Sequence, residues 1–199
     1  IRDRYATEIG LWQGIFEKYG IDLQTTEFVA GINTIDAVVN GTADIGMMAD
    51  YAAVNRLGNT LDATNLQIFS QISGGQSALS GGLYVDPKYA DDPKSLDGSA
   101  GFMYQEGTVT YYYASKCIEY LGLDESKQNL INTDSSQTRL ALIQKDGASA
   151  VYANGSEAKY IEEAGWVQVA TSQEIGIQTG SYFLSTDKYI SENTDCLLY

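Results

Sequence analysis

The chain has 199 residues, enough for one large domain or two small ones, and its 44% apolar content is typical of a globular protein. Its 12 basic and 26 acidic residues give a formal net charge of −14, which argues against nucleic acid or an anionic membrane surface as a partner, because either needs a basic face. The sequence contains no histidine, which excludes the commonest general base, the commonest metal ligand and every serine–histidine or cysteine–histidine nucleophile pair.

In chain order, the first half alternates helical and strand patterns. Apolar residues at helical spacing followed by glycine predict helices, and short apolar runs between turn residues predict buried strands. The predicted helices are 9–19, 33–41 and 50–58, and the predicted strands are 21–29, 43–48, 66–69 and 82–85.

A turn-rich stretch at 91–98 predicts a domain crossing, after which the alternation begins again. The second half has predicted strands at 101–104, 129–133, 148–152 and 166–170, predicted helices at 109–121, 136–145 and 156–164, and a return strand at 182–185. Strands that alternate with helices of this length indicate βαβ units and a mainly parallel sheet.

The two cysteines, Cys117 and Cys196, lie far apart and match no redox or metal-binding spacing. Cys117 falls in a helical pattern and is interpreted as a small buried residue. We therefore expect no disulfide, no metal ion and no cofactor. The sequence shows neither a signal peptide nor a transmembrane span. Because it begins at Ile1 and ends within a pattern at Tyr199, we expect both ends to be truncated.

Residues 38–58 predict a helix–strand–helix unit. Asn40-Gly41 ends the first helix, because glycine tolerates the left-handed conformation just past the last turn. Asp50 can cap the second helix by accepting its free backbone N–H groups. The turn between strand and second helix lies at the carboxyl end of the strand, where open α/β sheets bind ligands. Residues 141–154 repeat this order loosely, which suggests two similar lobes facing each other.

Several segments resemble the ABC-importer solute-binding proteins of the sulfonate, taurine, nitrate and thiamine-precursor group. Residues 14–23 (GIFEKYGIDL) are similar to a GxFxxxGLDV segment of that family, and residues 37–46 (AVVNGTADIG) to an AxxxGxxDxG segment. Residues 94–98 (KSLDG) resemble the turn that opens the second lobe. Residues 107–112 occupy the place of a Gly-Ser/Thr loop, and residues 147–152 (GASAVY) resemble a GxVDA strand.

The resemblance implies an α/β, two-lobe type II periplasmic-binding-protein fold with mainly parallel sheets flanked by helices. Residues 1–86 and 180–199 would form lobe one, whose C-terminal part is missing, and residues 87–179 would form lobe two. It also implies a non-enzyme that captures a small organic anion or zwitterion, similar to a sulfonate or taurine, between its lobes. The expected partner is the membrane permease of an ABC importer, with no nucleic acid. The expected protein is a monomeric lipoprotein, periplasmic or extracellular, anchored to the membrane of a Gram-positive source.

Candidate ligand-binding residues lie near predicted helix starts and strand ends, where free N–H groups and a partial positive charge suit an anion. They are Arg4, Tyr5, Gly31, Asn33, Thr34, Asp50, Tyr51, Glu106, Thr108, Thr110, Tyr152 and Asn154. Helix capping is the plain alternative for four of them, namely Asn33, Asp50, Thr108 and Thr110. Arg4 could pair with an anionic head group or with local acids. Tyrosines, among them Tyr104 and Tyr111, could wall an organic ligand.

The charge of Asp50 and Glu106 favours a ligand that carries an amine, such as taurine or an aminopyrimidine. Two alternatives stay open beside the importer: the ligand-sensing domain of a signalling receptor, and binding of a thiamine pyrimidine precursor. An enzyme that makes the thiamine pyrimidine from its own histidine is nearly excluded, because the chain has none.

Overall fold

The computed structural model describes residues 4–58, 65–74, 81–99 and 101–197. Its helices are α1 (Arg4–Trp12), α2 (Ile15–Lys18), α3 (Gly31–Val39), α4 (Asp50–Gly58), α5 (Val109–Leu121), α6 (Ser136–Gln144), α7 (Gly155–Glu163), α8 (Ser172–Ile175), α9 (Asp187–Glu192) and α10 (Thr194–Leu197). Its strands are β1 (Ile45–Ala49), β2 (Leu66–Gly74), β3 (Gly81–Val85), β4 (Phe102–Tyr104), β5 (Leu130–Asn132), β6 (Ala150–Asn154), β7 (Val167–Thr171) and β8 (Gly180–Thr186). Across these residues, no helix combines the length and the apolar character that crossing a membrane requires.

The chain divides into two units, one of Ile1–Gly74 with Gly180–Tyr199 and one of Gly75–Thr179. In the first unit, three strands pair antiparallel in the order β1-β8-β2. Helices α3 and α4 pack on this sheet through a small apolar core of Ile35, Val38, Met48, Ala52, Ala53 and Leu184. Gly46 permits the close approach of α3 to β1, because a Cβ there would lie 3.1 Å from the carbonyl oxygen of Thr34.

The second unit contains a five-stranded sheet in the order β5-β4-β6-β3-β7. Strand β4 pairs parallel with β5 and β6, while β3 pairs antiparallel with β6 and β7. Phe102, Tyr152 and Leu83 belong to one core with α5 and α8, whereas Met103 and Val151 belong to a second core with α6 and α7. Because both faces of the sheet are covered by helices, its central strands are apolar on both sides.

The α/β class is confirmed, and the pairing of the strands is mixed in direction. Parallel pairing occurs in the second unit around β4, and the pairings of the first unit are antiparallel. Most predicted elements are present close to their predicted bounds, and α5 has the predicted bounds. The strand direction in the first unit differs from expectation because β8 lies between β1 and β2 and runs opposite to both.

Three predictions about elements and boundaries are wrong. Residues 21–29 form no strand, and Val29 is 86% exposed. The single helix predicted over 9–19 is broken into α1 and α2, because Gly14 takes a left-handed conformation with φ of 65°. The boundary after residue 86 differs as well: β3 belongs to the second unit, since its hydrogen-bonding partners are β6 and β7.

Candidate ligand-binding site

Four strands of the second unit end at one edge of its sheet, here named the carboxyl edge. Strands β4, β5 and β6 are parallel, and β7 shares their direction because β3 lies antiparallel between β6 and β7. Each is followed by a helix start, and the N-cap residues are Thr108, Ser135, Asn154 and Thr171. Helix starts grouped at the ends of parallel strands are the usual place for a ligand in an α/β sheet.

The turn between β4 and α5 is held by two of the predicted ligand residues. Thr108 Oγ1 donates a hydrogen bond to the Gln105 carbonyl oxygen over 2.8 Å and accepts the Thr110 N–H over 3.3 Å. Thr110 Oγ1 accepts the Gln105 N–H over 2.7 Å, and the two threonine hydroxyls are 2.8 Å apart. Both side chains therefore shape the start of α5. Contact of either hydroxyl with a ligand stays a prediction.

Glu106 lies exposed at the tip of the same turn. Its backbone N–H donates to Asn132 Oδ1 over 3.0 Å, and Asn132 Nδ2 donates to Glu106 Oε2 over 3.2 Å. The amide of Asn132 thus joins the turn after β4 to the end of β5. The bond orients one carboxylate oxygen of Glu106 at the carboxyl edge.

Two further carboxylates lie at this edge. Asp134 accepts hydrogen bonds from the hydroxyls of Thr138 and Ser135, which hold its pKa below the ordinary value. Glu174 accepts the backbone N–H and the hydroxyl of Thr171, both over 2.8 Å, and these bonds likewise lower the pKa of Glu174. Both groups are therefore charged at neutral pH.

A buried arginine lies behind the turns of the carboxyl edge. The Arg139 side chain is 7% exposed, and its Nε donates to Glu157 Oε1 over 2.6 Å. Its Nη1 donates to Thr133 Oγ1 over 3.1 Å and its Nη2 to Ser136 Oγ over 3.3 Å. Thr133 donates both its N–H and its hydroxyl to the Tyr104 carbonyl oxygen, each over 2.7 Å. One guanidinium thus connects the ends of β4 and β5 with the start of α7.

Two half-buried tyrosines form an aromatic pair beside these turns. The rings of Tyr104 and Tyr111 meet edge to face with centroids 5.4 Å apart. The Tyr111 hydroxyl donates to Glu125 Oε1 over 3.0 Å, and Ser115 Oγ donates to Glu125 Oε2 over 2.8 Å. A fixed aromatic pair next to the Glu125 carboxylate suits an organic group or a cation.

Tyr152 lies in the core of the second unit and is 6% exposed. Its ring packs against that of Tyr113, with centroids 4.3 Å apart. Its hydroxyl is 2.8 Å from Ser172 Oγ, which itself donates to the Gly81 carbonyl oxygen over 2.7 Å. Tyr152 must therefore be the donor to Ser172. Burial raises the pKa of Tyr152, and its predicted place as a wall of the ligand site stays a prediction that the geometry does not favour. Asn154 is exposed and makes no capping hydrogen bond as N-cap of α7, and its side-chain amide instead donates to the Tyr152 hydroxyl oxygen.

In the first unit, Asp50 begins α4 and uses both carboxylate oxygens within the fold. Oδ1 accepts the Tyr51 N–H over 2.7 Å, and Oδ2 accepts the Gly180 N–H over 2.9 Å. Asp50 thereby joins the start of α4 to the start of β8, as its predicted capping role requires. Tyr51 follows as a half-buried residue of α4.

The start of α3 holds three further predicted residues. Gly31 lies against β1, where a Cβ would be 3.1 Å from Met48, and the Thr34 hydroxyl lies 2.8 Å from the carbonyl oxygens of Gly31 and Met47. The predicted capping role of Asn33 is wrong, because the N-cap is Ala30 and Asn33 is the third residue of the helix. Asn33 instead lines a groove of about 430 Å³ along α3.

Arg4 and Tyr5 are not placed before the first helix as predicted, because α1 begins at Arg4. Their side chains lie outside the described part of the chain, so their contact with a ligand stays a prediction. Within the described residues, no group of three metal-binding side chains comes together.

Sequence reasoning missed Arg139 and Asn132. The signal for Arg139 was available, since it lies four residues before the buried Ile143 on a predicted helix and so shares its inward face. Asn132 gave no comparable signal, because its partner Glu106 is 26 residues away in sequence.

The fold is shared with solved binding proteins. The aliphatic sulphonate binding protein SsuA of Escherichia coli matches with a TM-score of 0.75 and 15% identity, over 94% of this chain and 63% of that one. SsuA of Xanthomonas axonopodis, bound to MOPS, matches with a TM-score of 0.73 and 15% identity, over 98% and 67%. The nitrate-binding protein NrtA of Synechocystis matches with a TM-score of 0.71 and 14% identity, over 98% and 55%.

These similarities confirm the periplasmic-binding-protein fold that the resemblance implies. The chain spans 63% of the length of the Escherichia coli protein. No curated protein sequence matches the chain. The model of one protein family, described as NMT1/THI5 like, matches residues 9–197 and confirms the resemblance read from the sequence. The chain therefore belongs to the NMT1/THI5 like family.

Proposed function

We propose that this chain is the ligand-binding part of a solute-binding protein that serves an ABC importer and has no catalytic step. The observation that carries the proposal is the carboxyl edge of the second unit, where four parallel strands each lead into a helix start. Similarity of the fold to proteins named for sulphonate and nitrate binding supports it. The partner would be a membrane permease, and the site of action would be outside the cytoplasm.

We further propose that the ligand is a small zwitterion or an amine-bearing organic acid. The carboxyl edge carries the carboxylates of Glu106, Asp134 and Glu174, while its arginine is already paired with Glu157. Helix N-termini can hold an anionic group without a full countercharge. The carboxylates would repel a plain anion and attract an ammonium group, so a ligand with both groups fits best.

A thermal-shift panel tests the proposed class of ligand. It compares taurine with ethanesulfonate, which has the same carbon chain without the amine, and adds nitrate, amino acids and thiamine pyrimidine precursors. A ligand at a hundredfold excess over its dissociation constant stabilises the folded protein by about 2.7 kcal/mol. That corresponds to a shift of roughly 5–10 °C for a chain of this size. Nitrate or ethanesulfonate as the best ligand would contradict the proposed charge class.

Glu106→Gln tests the role of the carboxylate directly. The substitution keeps the shape of the side chain and the backbone bond to Asn132 but removes the charge. It should weaken the binding of an amine-bearing ligand by about 1.5–3 kcal/mol, the scale of a hydrogen bond to a charged group. It should leave ethanesulfonate unchanged or bound more tightly. Glu163→Gln is the control, because Glu163 is exposed at the other end of α7.

The permease partnership is tested by transport. Membrane vesicles that carry the candidate permease should take up labelled ligand only when the full-length binding protein is added. If the protein binds ligand but stimulates uptake by no co-expressed permease, the importer role is contradicted while the binding function stands. That result would favour the ligand-sensing alternative.

A further inference from the structure

The least exposed ion pair in the described part of the chain lies behind the carboxyl edge. Arg139 and Glu157 are 7% and 22% exposed, whereas Arg56 and Asp36 of the first unit are 33% and 41% exposed. Removing both charges from water costs free energy that their attraction repays only when geometry and further hydrogen bonds are favourable. A buried ion pair is therefore weak evidence for stability, so we ask which other role the Arg139–Glu157 pair has at this position.

The contacts of Arg139 reach three segments of the carboxyl edge. Through Thr133, which is 1% exposed, it reaches the carbonyl oxygen at the end of β4. Through Ser136 it holds the first turn of α6, and through Glu157 it holds the first turn of α7. An apolar residue of similar volume would fill the same space without fixing any of these three directions.

We propose that Arg139 is a positioning residue, which rests on the proposed function in that the ligand binds at the carboxyl edge. Its guanidinium fixes the turns after β4 and β5 and the start of α7 relative to one another. Arg139 does not itself touch the ligand, because its donors face Glu157, Thr133 and Ser136 and its side chain is almost entirely buried. Because these turns are already ordered before a ligand arrives, less conformational entropy is lost on binding.

The test compares local order with global stability in the double variant Arg139→Met/Glu157→Leu. An apolar replacement of a buried ion pair is often neutral for stability, so the midpoint of urea unfolding should stay near that of the wild type. Amide hydrogen exchange at Glu106 and Thr133 should nevertheless become roughly ten- to hundredfold faster, the scale set by losing a hydrogen bond to a charged group. Exchange in β3 and β6 should not change.

Two further variants keep the test decisive. Arg139→Lys retains the charge without the planar set of donors, so its amide hydrogen exchange at Glu106 and Thr133 should lie between that of the wild type and that of the double variant. It also provides a folded variant for the test if the double variant fails to fold. Arg56→Met/Asp36→Leu in the first unit is the matched control and should leave exchange at Glu106 and Thr133 unchanged. Exchange that rises equally in β3 and β6, or that does not rise at Thr133, would overturn the positioning role.

Ligand affinity separates this proposal from the proposed function. If taurine or another member of the panel binds the wild type, the double variant should bind it at least roughly tenfold more weakly, because the turns must be ordered on binding. Unchanged affinity with faster exchange would overturn the positioning role and leave the binding function intact. Failure of the wild type to bind any member would count against the proposed ligand class, while the exchange measurements would still decide whether Arg139 orders the turns.

Discussion

The hydrogen bonds from Tyr152 to Ser172 and from Ser172 to Gly81 predict which of two substitutions costs more stability. Tyr152 donates to Ser172 Oγ over 2.8 Å, and Ser172 donates to the Gly81 carbonyl oxygen over 2.7 Å. Tyr152→Phe removes the donor to Ser172 and the acceptor of the exposed Asn154 amide, which water can replace, so it should cost about 0.5–1.5 kcal/mol, the net value of one hydrogen bond. Ser172→Ala leaves both the Tyr152 hydroxyl and the Gly81 carbonyl oxygen without this partner, at about 1–3 kcal/mol each.

The assay is urea unfolding of the single and double variants, followed by circular dichroism and by fluorescence. Ser172→Ala should be clearly less stable than Tyr152→Phe. The double variant should be no less stable than Ser172→Ala, because phenylalanine removes the hydroxyl that the serine had satisfied. Costs that add in the double variant, or a larger cost for Tyr152→Phe, would refute this pair of hydrogen bonds. Tyr152→Phe should also leave ligand affinity unchanged, whereas a large loss of affinity would restore Tyr152 to the binding site.

Three further predictions concern titration, thiol access and backbone space. Burial and the hydrogen bond to Glu162 raise the pKa of Tyr84 to about 12, so the free energy of unfolding should fall as the pH rises from about 10, where unfolded tyrosine ionises, to about 12. Phenolate absorbance should show the late titration, and Glu162→Gln should lower that pKa; unchanged titration would contradict the cause. Cys196 should react with a thiol reagent in the folded protein, while Cys117, which is fully buried with a raised pKa, should react only after denaturation. Gly101→Ala should cost about 1–3 kcal/mol or more in urea unfolding, because its Cβ would lie 2.2 Å from a backbone oxygen and its φ is 119°; wild-type stability would contradict the strain.

Contacts between residues that are close in sequence could be predicted from the sequence. Thr108 accepts the N–H two residues on, as capping chemistry predicts, and Asp50, the first residue of α4, accepts a free N–H of the first turn of that helix. Gly122 ends α5 with a left-handed conformation, for the same local reason. Such roles could be read without a structure because their partners lie within one turn of chain.

The residues that sequence reasoning missed or misplaced depend on distant partners. The core contacts of Tyr152 with Ser172 and Tyr113 have no local signal in the sequence, since both partners lie 20 or more residues away, and its predicted place in the ligand site stays a prediction. Residues 21–29 have strand character in sequence, yet a strand exists only where another strand offers it backbone donors and acceptors. Strand β3 illustrates the same dependence, since its partners come more than sixty residues later in the chain.

The sequence by itself determined the alternation of helices and strands, the glycines that end the helices, the capping by Thr108 and the acidic character of the protein. Each follows from propensity, periodicity or charge within a few residues. Only the tertiary structure decided the order and direction of the strands, the placement of β3 in the second unit, and the meeting of Glu106 with Asn132 and of Arg139 with Glu157. The physical reason is that strand pairing and buried ion pairs join residues far apart in sequence, so their energies depend on the path of the whole chain rather than on any local pattern.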